Sequence, residues 1–137
     1  MHIEQAHTKE QILDHFSIRG RVFIVEQNVP WEDEYDNNDY TAILFNAYEG
    51  DKIIGTTRLF AGKLGRVAVL KEYRGQGIGK ALVDAAEAEA KAQGLTKVKL
   101  ASQLEAIPFY EKLGYEIYGD VFLDAGIPHR NMKKLMA

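Results

Sequence analysis

Residues 66–79 constrain the fold more than any other part of the chain. Four apolar residues at positions 67–70 predict a short buried strand, which a glycine-rich turn connects to a helix beginning at Ile78. Apolar side chains recur at three- and four-residue steps and define the predicted buried face of this helix: Ile78, Ala81, Leu82, Ala85, Ala88 and Ala92. We expect Gly94 to end the helix as its C′ residue.

A strand, a glycine-rich turn and a new helix together predict a binding site for an anion. The first backbone N–H groups of a helix have no partner within it, and the helix dipole favours negative charge there. Gly75, Gly77 and Gly79 have no side chains, so a phosphate can approach the main chain closely. Arg74 and Lys80 add positive charge on either side of these glycines.

The spacing of the loop excludes two common phosphate motifs. A Walker A loop needs Gly at position 74 and Ser or Thr at position 81, but the chain has Arg74 and Ala81. A dinucleotide-binding loop needs a third glycine where the chain has Lys80 or Leu82. The remaining pattern, Arg-x-x-Gly-x-Gly over residues 74–79, resembles the pyrophosphate loop with which GNAT N-acetyltransferases bind acetyl-coenzyme A.

A second pattern strengthens this resemblance. In residues 103–115, Ala106 is followed by Phe109, Tyr110 and then Gly114 before an aromatic residue, in the order and position expected for a GNAT enzyme. Segments 22–27, 36–39, 55–59 and 126–129 are similar to the small bacterial ElaA/YjcF-like branch of this family. The resemblance extends over nearly the whole chain.

The resemblance implies roles for individual residues. Main-chain groups of Val67 and Val69 would pair with the pantetheine arm, and main-chain N–H groups of residues 74–79 would hold the pyrophosphate. Tyr110 matches the tyrosine that reprotonates the coenzyme A thiolate, and Gln103 stands where many relatives carry Asn. The implied coenzyme-binding residues are Val67, Ala68, Val69, Arg74, Gly75, Gln76, Gly77, Ile78, Gly79, Lys80, Gln103 and Phe109.

The acceptor side of the site leaves alternatives open. The candidate general bases are Glu26, Glu34 and His129. We favour Glu26 because it ends an apolar helix face, where we expect partial burial. Three arginines either grip a carboxylate of the acceptor or pair with an acidic loop: Arg19, Arg21 and Arg58.

The distribution of charge suggests where the two substrates lie. The net charge of −3 argues against general affinity for nucleic acid. Residues 27–39 contain five acids without Lys or Arg, whereas residues 63–80 contain five basic residues and one acid. This split predicts that the coenzyme phosphates lie near the basic segment and a cationic amine near the acidic one, with Glu34 in contact with it. Amines without a second negative charge should then be the better acceptors.

Several classes of function are excluded by composition. The chain has no cysteine and no Gly-x-Ser-x-Gly pattern, which argues against a covalent acyl-enzyme. The histidines lack metal-ligand spacing, so no metal is expected. Without an apolar leader or a run of membrane length, we expect a cytoplasmic protein that acts without a membrane.

The predicted function is transfer of an acetyl group from acetyl-coenzyme A directly to a primary amine of a small molecule, in a ternary complex. We expect a monomer or a homodimer. Two alternatives remain open: an acyltransferase like the acyl-homoserine-lactone synthases, and a coenzyme A-binding sensor without turnover.

The predicted fold is α/β, a mixed and mostly antiparallel central sheet flanked by helices, in one domain spanning residues 1–137. The apolar fraction of 46% fits one globular core. Strands are predicted at residues 1–6, 42–49, 52–60, 67–70, 97–101, 115–123 and 129–135. Helices are predicted from Thr8 to about Glu26, from Ile78 to the residue before Gly94, and over residues 105–113.

Overall fold

The computed structural model describes residues 1–136 and contains one mixed seven-stranded sheet with helices on both faces. The strands are β1 His2–Gln5, β2 Ile43–Glu49, β3 Lys52–Phe60, β4 Lys63–Val69, β5 Lys97–Gln103, β6 Glu116–Asp124 and β7 Ile127–Leu135. The helices are α1 Lys9–Arg19, α2 Trp31–Glu34, α3 Ile78–Ala92 and α4 Ile107–Lys112. The predicted fold class and the order of the main elements are confirmed.

The strands are arranged in the order β1-β2-β3-β4-β5-β7-β6. Only β4 and β5 pair in parallel, and every other neighbouring pair is antiparallel. Helix α1 packs over β2, β3 and β4, whereas α3 packs on the other face. No helix within residues 1–136 combines the length and the apolar character needed to cross a bilayer.

The N-terminal helix begins as predicted but is not continuous to Glu26. The Thr8 hydroxyl accepts the N–H of Gln11, and the Gln11 side chain accepts the N–H of Thr8, which completes a capping box. At Gly20 the α-helix changes to a π-helical segment, Gly20–Glu26. A side chain at Gly20 would clash with the Tyr35 hydroxyl at 2.9 Å. The Tyr35 hydroxyl donates to the Phe16 carbonyl there, so a larger residue at position 20 would have to displace this hydrogen bond.

Helix α3 follows the prediction in extent but not in its buried face. It spans Ile78–Ala92, and Gly94 follows with a left-handed backbone, as expected of a C′ glycine. The buried residues are Ile78, Leu82, Val83, Ala86 and Ala90. Ala88 and Ala92 are exposed, because the larger Val83 rotates the packed face toward Leu64, Leu100 and Met132 of the sheet.

Three strand boundaries differ from the prediction by two residues or more, and one of them is the end of β5, which lies at Gln103 instead of residue 101. Strand β4 begins four residues earlier, at Lys63, because pairing with both β3 and β5 extends beyond the apolar run. Strand β7 begins at Ile127 and includes Pro128, since the turn after β6 occupies only Ala125 and Gly126, both with left-handed backbones. Pro128 lacks an N–H but still lies opposite Leu123.

Candidate active site

A cleft opens where the two parallel strands separate. Strands β4 and β5 are paired only at Lys63–Lys99 and Leu64–Leu100. Beyond these pairs the strands diverge, and a cavity of about 640 Å³ is lined on one side by residues 67–69 and on the other by residues 101–103. The backbone groups of a strand that has lost its neighbour are free to bind an extended ligand.

A bulge in β4 produces this separation. The register between β3 and β4 shifts between Thr56 and Arg58, and Arg66 takes a left-handed backbone with φ of 52°. The Thr56 hydroxyl donates to the carbonyl of Arg66 at 3.1 Å, and the Thr57 hydroxyl donates to the carbonyl of Gly65 at 3.0 Å. These bonds satisfy carbonyls that the bulge removes from the ladder, so two threonines stabilise the opening of the sheet.

The glycine-rich loop connects the end of β4 to the start of α3. Gly77 is the N-cap of α3, with φ of 82° and no side-chain cap, so the first N–H groups of the helix remain available. The space above Gly77 is open, since a Cβ there would meet no atom within 4 Å. Phe109 packs 3.2 Å from the position of a Cβ on Gly79 and joins α4 to this loop. The arrangement suits an anionic group at the helix N-terminus.

Tyr110 lines the cleft and is almost fully buried. Its ring is packed between Phe109 and Tyr115, with centroids 4.9 and 5.9 Å away, and the residue is 9% exposed. Its hydroxyl has no hydrogen-bond partner among residues 1–136, and the residue lines the cleft. Burial raises the pKa of Tyr110 well above its usual value, so the hydroxyl stays protonated at neutral pH.

Two polar side-chain pairs cross the mouth of the cleft from the end of the π-helical segment. Glu26 accepts hydrogen bonds from Nη2 of Arg74 on both carboxylate oxygens, at 2.9 and 3.0 Å. Arg74 Nε donates to the Val69 carbonyl at 2.9 Å. Next along the chain, Gln27 accepts a hydrogen bond of 2.7 Å from the amide of Gln103. The wall formed by the π-helical segment is therefore tied to both strands that border the gap.

The structure gives Glu26 a partner that the sequence did not indicate. Its side chain is about one-third exposed and is paired with Arg74. Glu26 is not among the residues that line the cleft within residues 1–136. The π-helical turn is the physical reason, because it changes the side-chain direction that a continuous α-helix would have given.

A cluster of three arginines and three acids closes the other end of the cleft. Arg19 bonds to Glu34 at 2.8 Å and to Asp39 at 2.7 Å. The remaining contacts join Arg58 to Asp36 and Asp39, and Arg66 to Glu34 and Asp36. We call these six residues the ion-pair cluster: Arg19, Glu34, Asp36, Asp39, Arg58 and Arg66. Its formal charges cancel, three against three.

Burial and pairing set the protonation of this cluster. Burial raises the pKa of Glu34, although Arg66 and Arg19 oppose the shift. The pKa of Asp39 is lowered, because hydrogen bonds from Arg19 and Arg58 outweigh its burial. His15 lies beneath Arg19 with Nε2 3.3 Å from its guanidinium, and burial lowers the pKa of His15 to about 4. His15 is therefore a neutral acceptor for Arg19 at neutral pH.

Two of the three candidate arginines, Arg19 and Arg58, pair with the acidic loop in this cluster. Arg19 is fully buried and cannot touch a substrate, so it pairs with the acidic loop. Arg58 also pairs with this loop but lines the cleft, and Glu34 is 3% exposed with its carboxylate held by two arginines. Arg21 is exposed and is not among the residues that line the cleft within residues 1–136. Three of the five acids in this segment are thus paired with arginines, and the other two are exposed and form no ion pair among residues 1–136.

His129 lies on the cleft side of β7, in register with Gln103. Its Nδ1 is 2.6 Å from the carbonyl of Ile127, which can only accept, so Nδ1 carries a proton. Its ring stacks on Phe122 with centroids 5.9 Å apart. In the neutral ring the lone pair is therefore on Nε2.

The cleft thus brings together about half of the predicted site residues, whereas the loop residues 75–80 and Phe109 are not part of its lining. Residues 67–69, Arg74, Gln103, Tyr110 and His129 line one cavity. The sequence did not indicate Arg66, Gln27 or the two threonines of the bulge as site residues. A left-handed arginine and a shift in register have no signature in a single sequence.

Comparison with known proteins identifies the family. Residues 3–136 match the acetyltransferase (GNAT) domain, so the chain belongs to the GNAT acetyltransferases. It is 40% identical to the uncharacterized N-acetyltransferase YjcF of Bacillus subtilis strain 168 over 134 residues, 94% of this chain and 96% of the relative. The predicted similarity to the ElaA/YjcF-like branch is confirmed.

Two solved structures share the fold. Escherichia coli ElaA superposes with a TM-score of 0.88 at 24% identity, covering 98% of this chain and 99% of ElaA. An aminoglycoside 6′-N-acetyltransferase complexed with coenzyme A superposes with a TM-score of 0.73 at 19% identity, covering 98% of this chain and 97% of that enzyme. A protein of the same fold therefore binds coenzyme A.

Proposed function

We propose that this protein transfers the acetyl group of acetyl-coenzyme A directly to a primary amine of a small molecule, in the cytoplasm. The observation that supports this most is the diverging pair β4 and β5, with Tyr110 in the lining of the cleft between them. The pantetheine arm would lie along residues 67–69, and the pyrophosphate would lie at the loop before α3. Membership of the GNAT acetyltransferases supports both placements.

Direct transfer is the chemistry that the cleft residues favour. The chain has no cysteine, and Ser102 is 2% exposed with its hydroxyl donated to the Gln103 carbonyl at 2.8 Å. No base contacts this hydroxyl among residues 1–136, so Ser102 is not an activated nucleophile. The thioester is reactive enough that the site needs only to align the amine, support the oxyanion and move two protons.

Tyr110 acts in this proposal on the leaving group. As the carbon–sulfur bond breaks, negative charge develops on the sulfur of coenzyme A. A protonated hydroxyl in a low-dielectric gap donates a hydrogen bond to that sulfur and then its proton. A hydroxyl that donates to the sulfur must not already donate to another group of the protein. The Tyr110 hydroxyl meets this requirement, since it has no hydrogen-bond partner among residues 1–136.

We propose His129 rather than Glu26 as the general base. Glu26 is bound to Arg74, and Glu34 is bound to two arginines, whereas Nε2 of His129 is an acceptor in the cleft. Deprotonating a lysine-like amine at pH 7 costs about 4.6 kcal/mol, whereas an α-amine needs only about 1 kcal/mol, so a base matters most for the former. The imidazole would take the amine proton directly or through a water.

The function is tested by incubating the protein with acetyl-coenzyme A and a panel of primary amines while free thiol is measured. We expect thiol release that depends on the amine, with acetylated amine detected by mass spectrometry. Initial rates at several concentrations of both substrates should give intersecting reciprocal plots, as a ternary complex requires. Coenzyme binding without thiol release would support the sensor alternative, and turnover only with longer acyl chains would support the synthase-like one.

The base is tested separately with His129→Ala. We expect kcat with a lysine-like amine to fall by about 10²–10⁴-fold, with coenzyme affinity unchanged. Added imidazole should restore part of the rate if His129 moves a proton, but not if it only supports the fold. If the variant keeps the wild-type kcat, His129 is not the general base.

A further inference from the structure

Three lysines lie in register across three neighbouring strands. Lys63 of β4 is paired with Lys99 of β5, and Lys99 is paired with Lys133 of β7. All three are exposed, and none takes part in an ion pair among residues 1–136. We call Lys63, Lys99 and Lys133 the lysine row.

This register places like charges next to one another. Paired residues of adjacent strands point to the same face of a sheet, and the strands lie about 4.8 Å apart, so the three side chains repel. The one acid in the same register is Glu116, opposite Lys133 on the edge strand β6. Lys63 and Lys99 have no acid beside them in this register. An anion between the lysines would remove the repulsion.

The lysine row borders a depression that adjoins the active-site cleft. This depression has a volume of about 310 Å³, and Lys63, Lys99, Tyr118 and Asn131 are among the residues that line it. Phe60 and Lys63 line both the depression and the cleft. The Lys133 ammonium lies 5.2 Å from the centre of the Tyr118 ring, at the far side of the row.

The row and the proposed base share one face of the sheet. On β7, His129 and Lys133 are separated by four residues, and alternate residues of a strand point to the same face. A rise of about 3.3 Å per residue places the row about 13 Å from His129, less the reach of the lysine side chains. An elongated molecule with an amine at one end therefore spans the distance to the row.

The balance of charge at this end of the cleft favours an anion. Three of the five acids that the sequence had suggested as partners of a cationic amine are paired with arginines in the ion-pair cluster: Glu34, Asp36 and Asp39. In the lysine row only Lys133 has an acid beside it in register, and none of the three lysines forms an ion pair among residues 1–136. The lysine row therefore favours acceptors with a second negative charge, against the expectation drawn from the acidic segment.

We infer that the lysine row binds an anionic group of the acceptor, a carboxylate or a phosphate, while the acceptor's amine lies at His129. The acceptor is then an elongated amine with a distal anion. This inference rests on the proposed acetyltransfer, and it names the class of acceptor.

Matched amines of increasing length test the inference. The pairs are propylamine with β-alanine, hexylamine with 6-aminohexanoate, and octylamine with 8-aminooctanoate. We expect kcat/KM to favour the carboxylate in the two longer pairs but not in the shortest, whose anion cannot reach the row. Aminohexyl phosphate compared with 6-aminohexanoate shows which anion is preferred. The preference should shrink with salt, because exposed charges are screened over about 8–10 Å near physiological ionic strength.

Substitutions then locate the effect. Lys63→Gln and Lys99→Gln should each raise KM for 6-aminohexanoate about 3-fold, and the double variant about 10-fold, with kcat and the KM for hexylamine unchanged. Lys91→Gln on the exposed side of α3 is the matched control and should change neither value. Equal kcat/KM for the carboxylate and its matched amine at every length would overturn the inference.

A binding experiment decides the matter even if no amine is acetylated. With the protein saturated by coenzyme A, which fills the loop before α3, inorganic phosphate is titrated while backbone amide resonances are followed. We expect shifts centred on residues 63, 99 and 133 that disappear in the double variant. Shifts that are absent in the wild type, or that persist in the double variant, would refute the lysine row as an anion site. Absence of turnover alone would count only against the proposed acetyltransfer.

Discussion

The pair formed by Glu26 and Arg74 leads to a prediction that separates two roles for Glu26. Arg74 holds the Val69 carbonyl and the Glu26 carboxylate at the same time, and both Arg74 and Val69 belong to the proposed coenzyme site. A coenzyme phosphate would compete with Glu26 for the guanidinium. We therefore expect Glu26 to oppose coenzyme binding rather than to catalyse proton transfer.

The size of the effect follows from the exposure of the pair. The Arg74 and Glu26 side chains are 43% and 35% exposed, so solvent screens their attraction. Exposed pairs of this kind contribute about 0.2–1 kcal/mol. Glu26→Gln should therefore tighten the Kd for coenzyme A by about 1.4- to 5-fold, with kcat little changed. A general base would instead lose about 10²–10⁴-fold in kcat on the same substitution.

Calorimetry with coenzyme A and steady-state kinetics on the same variant distinguish these outcomes. Glu32→Gln is the matched control, because Glu32 is also an exposed acid near the cleft but forms no ion pair within residues 1–136. The tightening should weaken in high salt, and it should vanish in an Arg74→Gln background. An unchanged or weaker affinity together with a large fall in kcat would refute the competition and restore Glu26 as the base.

Three further predictions address the loop, the acid and the buried histidine. Gly77→Glu should abolish coenzyme A binding in calorimetry, whereas Gly50→Glu, at a left-handed glycine with equally open space, should keep it; equal loss would implicate backbone strain alone. Tyr110→Phe should lower kcat by about 10–1,000-fold with coenzyme affinity kept, and an unchanged kcat would leave Tyr110 a packing residue. Because the pKa of His15 is about 4 when folded and ordinarily 6.5, the native state binds fewer protons between these values. Stability should therefore fall by about 3 kcal/mol from pH 7 to 4, and His15→Gln should flatten this dependence in urea titrations.

Much of the fold was predictable because its signals are local. The capping box at Thr8, the apolar spacing of α3 and the glycines at 77 and 94 act within a few residues. The order of strands and helices is also a local signal, because turn residues mark the boundaries between them. The buried face of α3 was wrong in part, since the partners across the core decide which apolar residues face inward.

The sequence by itself determined the loop before α3, the position of Tyr110 after β5 and the family, because these depend on residue types at short, fixed spacing. Only the tertiary structure decided which polar and charged side chains meet. Glu26 meets Arg74 across 48 residues and Gln27 meets Gln103 across 76, and no spacing rule connects them. The lysine row likewise exists only because three strands align in one register. Charge pairing and register depend on packing over the whole sheet, so they become visible only when the chain is folded.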